Sequence, residues 1–174
     1  MTDSLDTELK VSLHGLLRQT GGLSTITDLA KLAYAAHLPS GVLAGQADKL
    51  WHSERTLAAG ASELLELDAL QMPALGGTLA ISLAKVKLLL VINTSAVAGG
   101  DLRLGGAGAA AHAWSAPWAA NADAISVVSA DSLLLTANKL GGWPVVAGSS
   151  DVLKVENVGP SAVTYQIAIV GTSV

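Results

Sequence analysis

Four histidines, His14, His37, His52 and His112, are the first candidates for metal ligation or proton transfer, but none stands at a ligand spacing such as HExxH. The chain has no Cys, which removes thiolate zinc sites, disulfides and cysteine nucleophiles together and leaves the redox compartment open. His52 shares strand parity with Asp48 and Glu54, a pattern that exposed polar strand residues explain without a metal. Glu63, Glu66 and Asp68 read as alternating on a strand and are the only candidates for the paired acids of a glycosidase; solvated strand carboxylates are the preferred reading. Ser149 and Ser150 beside Asp151 read as a turn, and no G-x-S-x-G elbow occurs. Gly105, Gly106 and Gly108 are followed by no Lys-Ser/Thr pair and match no phosphate-binding pattern. The expectation is no catalytic residue, no metal, no cofactor and no enzymatic activity.

The elements that hold these residues follow from apolar spacing. From Asp48 onward the spacing repeatedly has period two, which predicts strands despite the abundance of Ala and Leu. The clearest run is Val163, Tyr165, Ile167 and Ile169, separated by polar Thr164 and Gln166. Leu153 and Val155 share one face opposite Lys154 and Glu156, and Val86, Leu88, Leu90 and Ile92 share one face with Lys85 and Lys87 turned away as guards against edge pairing. Glycine-rich turns separate the runs, giving strands at roughly 48–57, 60–68, 78–93, 101–105, 124–129, 131–137, 143–147, 151–157 and 162–170. Eight or nine short strands of this kind predict an all-β chain, a jelly-roll-like β-sandwich over 23–174.

Ahead of it, residues 8–14 alternate, with Leu9, Val11 and Leu13 on one side, and predict an extended N-terminal arm over 1–22 that needs a partner surface. Residues 23–38 fit two templates. As a helix, Ile26, Leu29, Leu32 and Ala36 line one face; as a strand, Leu32, Tyr34, Ala36 and Leu38 do, and the strand is preferred for 29–38. Residues 105–124 form a long insert of small residues carrying Trp114 and Trp118, which either cover one open end of the sandwich or enter a subunit interface. Leu9, Val11, Leu13, Trp114 and Trp118 are the candidate interface residues.

Composition narrows the function classes. The 174 residues suit one domain with an arm, and 51% hydrophobic content against only 14% charged excludes a disordered chain. With 10 basic and 14 acidic residues and no Lys/Arg cluster, the footprint for nucleic-acid binding is missing. The longest apolar stretch, 79–92, is broken by Lys85 and Lys87 and falls short of the ~20 residues of a spanning helix, so no membrane partner is expected. The opening MTDSLDTELK lacks the pattern of a secretory signal, which predicts synthesis and use without export. A mean hydropathy of +0.49 with so few charges implies that other subunits cover much of the outside.

Three segments in order, GQADKLWHSERTLAAGASELLELDAL at 45–70, LAISLAKVKLLLVINTSA at 79–96 and SSDVLKVENVGPSAVTYQIAIVGTS at 149–173, carry a resemblance over nearly the whole chain. The sequence resembles a family of small tailed-bacteriophage virion proteins, with A-D-x-[IL]-[WF]-x-x-x-R-T-L, a Lys-x-Lys strand, D-[LV]-L-[KR]-[VI]-x-N and V-x-Y-x-[IV] in that order. It departs from that pattern in having no Phe and an Ala-rich insert at 105–124. The resemblance implies a minor capsid or head decoration protein on the virion surface, made in the host cytoplasm, with the major capsid protein as partner. A homo-oligomer, preferably a trimer, goes with it. The alternative is a tail-fibre or receptor- or carbohydrate-binding module, for which Trp51, Trp114, Trp118 and Trp143 would supply aromatic platforms.

Overall fold

The computed structural model describes residues 4–74, 76–108, 112–137 and 141–174, and among these the chain is all-β, with no helix and several antiparallel sheets. Two sheets face each other. The first has the order β10(Ser132–Thr136), β7(Lys85–Asn93), β13(Val163–Thr172), β3(Lys49–Leu57), with the short β11(Trp143–Pro144) also on β7. The second has the order β4(Ser62–Glu66), β12(Val152–Asn157), β8(Leu102–Gly105), β9(Ala124–Val127). Their inner faces meet in one core, where Trp51, Leu89, Val91, Tyr165, Ile167 and Ile169 of the first sheet pack against Leu65, Leu102, Leu104, Val127, Leu153 and Val155 of the second. This is a β-sandwich, as the alternating spacing of β12 and β13 predicts.

Buried asparagines close the loops at the ends of the strands. Asn93 Nδ2 donates to the carbonyls of Gly100 (2.7 Å) and Val127 (3.2 Å), while its Oδ1 accepts from Ser95 N. Asn157 Nδ2 donates toward the carbonyls of Leu57, Ala58 and Ser161, and its Oδ1 accepts from Gly159 N at 2.9 Å. Each asparagine thus satisfies carbonyls in a loop and at the end of a neighbouring strand.

β5(Leu70–Ala74) and β6(Gly77–Ile81) form a separate hairpin beside β3. Leu70, Met72 and Ile81 enter the core, and the Trp51 indole donates to Gln71 O at 2.9 Å. The single strand predicted over 78–93 is therefore two. The chain breaks pairing at 82–84 as it passes from this hairpin into the first sheet, where Leu83 N bonds Leu67 O and Ala84 N bonds Thr172 O. β5 itself was hidden by Pro73, which breaks the strand signal.

The face assigned to β7 holds for Val86 and is reversed from Leu88 onward. Leu89, Val91 and Asn93 point into the sandwich, whereas Leu88, Leu90 and Ile92 point outward. The run is apolar on both sides, so periodicity alone could not choose between them. A bulge adds to the error: Val170 pairs with Leu88 but Gly171 pairs with Val86, leaving Lys87 as an extra residue. Its side chain is buried instead of guarding an edge.

The N-terminal part is not a lone arm. β1(Thr7–Thr20) pairs antiparallel with β2(Thr25–Leu38) over the full length of both strands, from Thr7 opposite Leu38 to Thr20 opposite Thr25. Gly21 N bonds Ser24 O in the connecting turn. A boundary at residue 22 therefore falls inside a hairpin, and the second segment is a strand from Thr25 to Leu38. Arm residues find their pairing partner in the next segment of their own chain, which the two-template reading of 23–38 obscured.

Candidate functional site

The hairpin is the part of the molecule whose surface chemistry is least satisfied. At about 3.4 Å per residue, each strand is about 48 Å long. Register places Leu9, Val11, Leu13, Gly15 and Leu17 of β1 beside Ala36, Tyr34, Leu32, Ala30 and Asp28 of β2 on one face. The opposite face carries Glu8, Lys10, Ser12, His14 and Arg18 with His37, Ala35, Ala33, Lys31 and Thr27, broken only by the Leu16–Leu29 pair. The ribbon is thus amphipathic, with Asp28 the single charged group on its apolar face.

Only the root of that face is covered. Leu5, Leu9 and Leu38 gather with Ala47 over Leu88, Val170, Leu50 and Leu90, on the outer surface of the first sheet. Beyond the root, Leu13 is 61% exposed, Leu17 72%, Ile26 66% and Leu32 61%, and Leu23 stands fully exposed at the turn. Exposed leucines in a continuous stripe of this length mark an interaction surface. Of the predicted interface residues, Leu9 belongs to the chain's own root cluster, and Val11 and Leu13 lie on the open stripe.

The other two are elsewhere. Trp114 is buried in its own chain, donating from its indole to Pro144 O at 2.9 Å, so its ring is a core side chain and unavailable to a neighbour. Trp118, half-buried, donates to Trp114 O at 3.0 Å, and Trp118 and Trp143 both meet Trp114 edge to face, at 6.4 and 6.2 Å between ring centres. Three tryptophans from the 105–124 insert and β11 thus seal one end of the sandwich. With Trp51 also buried, the four rings make no continuous aromatic platform.

The chemical candidates disperse in the same way. Glu63 faces inward, accepting from Arg55 Nε at 2.5 Å and from the Tyr165 hydroxyl, while Glu66 points outward from the same strand and Asp68 lies past its end. No acid pair spans a groove there. Burial first, and then the adjacent Glu63, hold the Tyr165 phenol well above its ordinary pKa, with Arg55 opposing. On the second sheet, Glu156 takes Arg103 and Lys154 together; burial raises its pKa, but the hydrogen bonds from Lys154 and Arg103 outweigh it and leave the net shift downward.

His37 pairs with Asp6 at 2.5 Å, and His52 lies exposed on the outer face of the first sheet. His112 Nδ1 stands 4.0 Å from the buried Asp151. Asp151 Oδ2 accepts from Gly148 N in the turn predicted around Ser149 and Ser150, and Ser150 Oγ donates to Ala113 O at 3.3 Å. Among the described residues no group of three His, Asp or Glu side chains could hold a metal ion, and no helix is long and apolar enough to cross a membrane.

Searches of protein-family models, curated proteins and solved structures each found no match to this chain.

Proposed function

We propose that this chain is a virion structural protein of the minor capsid or head decoration type, which binds the major capsid shell through its hairpin. The observation that carries the reading is the 7–38 ribbon, an amphipathic lever rooted on the sandwich with its apolar stripe open along most of its length. A stripe of this kind binds by burial: at ~25 cal/mol per Å² of apolar surface, many copies laid across subunit junctions raise the free energy needed to separate the shell.

Strand order supports the finer fold that this role suggests. Setting aside the β1–β2 and β5–β6 hairpins and β11, eight strands remain. The first pairs with the last (β3 with β13) and the second with the second-last (β4 with β12), and the sheets read β10-β7-β13-β3 and β4-β12-β8-β9. That is the wrapping of a long hairpin folded over itself, the jelly roll, an architecture common to viral capsid and lectin domains. Burial of Trp51 and Trp114 favours the capsid role over the lectin one. The test is gold-labelled antibody on intact virions of the phage that encodes the chain. Labelling of the head is expected; labelling confined to the tail, or none, overturns the reading.

A further inference from the structure

The outer face of the first sheet carries a second unsatisfied surface, and register lays it out in rows. Leu50, Val170 and Leu88 form the first row, directly under the hairpin root. His52, Ala168, Leu90 and Leu134 form the second, and Glu54, Gln166, Ile92 and Ser132 the third. The second and third rows enclose a shallow trough of about 250 Å³ with Leu90, Ile92 and Ala168 on its floor and His52 and Glu54 along one side. A chain's own hairpin root covers the first row and reaches the second only at Leu90 and Leu134, so the rest of the trough and the stripe are left open on the same molecule.

We propose that the trough receives the apolar stripe of the hairpin from a second copy of this chain. Three observations select this occupant. The contact continues one already built, since Leu9 and Leu38 of the same ribbon face sit on the adjoining row of the same sheet. The stripe is large enough: Val11, Leu13, Leu17, Leu23, Ile26 and Leu32 offer on the order of 100 Å² each, and with the ribbon's flanks this approaches the ~800 Å² per partner of a stable interface. The polar groups also match. Asp28, the lone charge on the stripe, needs a donor once buried, and the imidazole of His52 beside the apolar floor supplies one.

Hairpin into trough is a head-to-tail contact, in which each copy gives one surface and receives the other, so it closes into a ring when the rotation between copies permits. The proposal rests on reading the hairpin as an interaction arm, but not on the capsid. Head labelling can fail while self-association stands, and the reverse.

Sedimentation of the full chain at tens of micromolar tests it with two variants at exposed or half-buried positions. One is Leu17→Glu with Leu32→Glu on the stripe; the other is Ile92→Glu with Ala168→Glu in the trough. The unaltered chain should sediment as an oligomer and each variant as a monomer. An equimolar mixture of the two variants should double the monomer mass and grow no further, because it retains one intact stripe and one intact trough. A monomeric unaltered chain overturns the proposal. So does a trough variant that assembles like the unaltered chain, which would mean stripe-to-stripe pairing, and so does a mixture that stays monomeric. Should either variant misfold, Leu17→Cys and Ile92→Cys chains carrying different tags, mixed with a bismaleimide, give the answer in a protein otherwise free of Cys. A cross-link between unlike tags is expected, and its absence overturns the proposal.

Discussion

Lys87 lies where a side chain on Gly142 would have to go: a Cβ built at position 142 stands 3.0 Å from Lys87 Cδ and 2.7 Å from the Val86 carbonyl oxygen. Gly142 also has φ near +89°, a conformation that L side chains rarely adopt. Gly142→Ala therefore meets both a strained backbone and a carbonyl that cannot yield without disturbing the ladder between β7 and β11. A loss of about 3 kcal/mol is expected in urea unfolding. Gly148→Ala is the control, since its φ is similarly positive but nothing lies within 4 Å of its would-be Cβ, and it should cost only about 1 kcal/mol.

Burial, aided by the nearby positive charge of Lys85, lowers the pKa of the Lys87 ammonium. Between this lowered value and the ~10.4 of an unfolded lysine, the unfolded chain holds a proton that the folded chain has released, so stability rises with pH across that window. Lys87→Met keeps the buried stem but removes the charge. Urea midpoints should show the variant about 1 kcal/mol more stable at neutral pH and without the alkaline rise.

Tyr165 contributes with the opposite sign. Its folded pKa is raised, so its contribution is complete below the ~10 of an unfolded tyrosine and falls away as pH rises above that value. Tyr165→Phe removes the hydroxyl bonded to Glu63 but leaves Arg55 on that carboxylate. A cost of about 1 kcal/mol at neutral pH is expected, with a flatter decline above pH 10, read from thermal midpoints in matched buffers. Because the two slopes are of opposite sign, the variants at 87 and 165 separate them.

Sequence legibility followed the number of faces that each strand buries. In β12 and β13 one face meets the core and the other carries Lys154, Glu156, Thr164 and Gln166, so alternation marked both strand and inward face. In β7 the hairpin root covers the outer face as well, and a bulge shifts Lys87, so the strand was legible but its facing was not. The hairpin shows the converse difficulty. Leu13 and Leu32 are cross-strand neighbours separated by a turn, and nothing in the local spacing announced that the arm and the ambiguous 23–38 segment would pair. Trp114 fits a sandwich end and an interface equally by residue type, and it is the burial of its ring and its bond to Pro144 O that distinguish the two.

The buried Asn157 gives the last prediction. Its amide nitrogen serves Ser161 O in the loop between β12 and β13 and Leu57 O and Ala58 O at the end of β3, and its oxygen holds Gly159 N. Gly159 must in turn remain glycine, because a Cβ there would come within 2.0 Å of Gly99 O, so the chain has little freedom to relax around the asparagine. Asn157→Leu keeps the volume but leaves these backbone groups without partners in a site closed to water. Asn157→Asp keeps the acceptor for Gly159 but loses the donors and aims a carboxylate at the carbonyls. Asn157→Leu is expected to cost about 3 kcal/mol in urea unfolding. Asn157→Asp should cost more at neutral pH and recover part of the loss in mild acid, where the protonated carboxyl regains one donor. Equal destabilisation of the two variants at every pH would show that shape, not hydrogen bonding, is what this residue supplies.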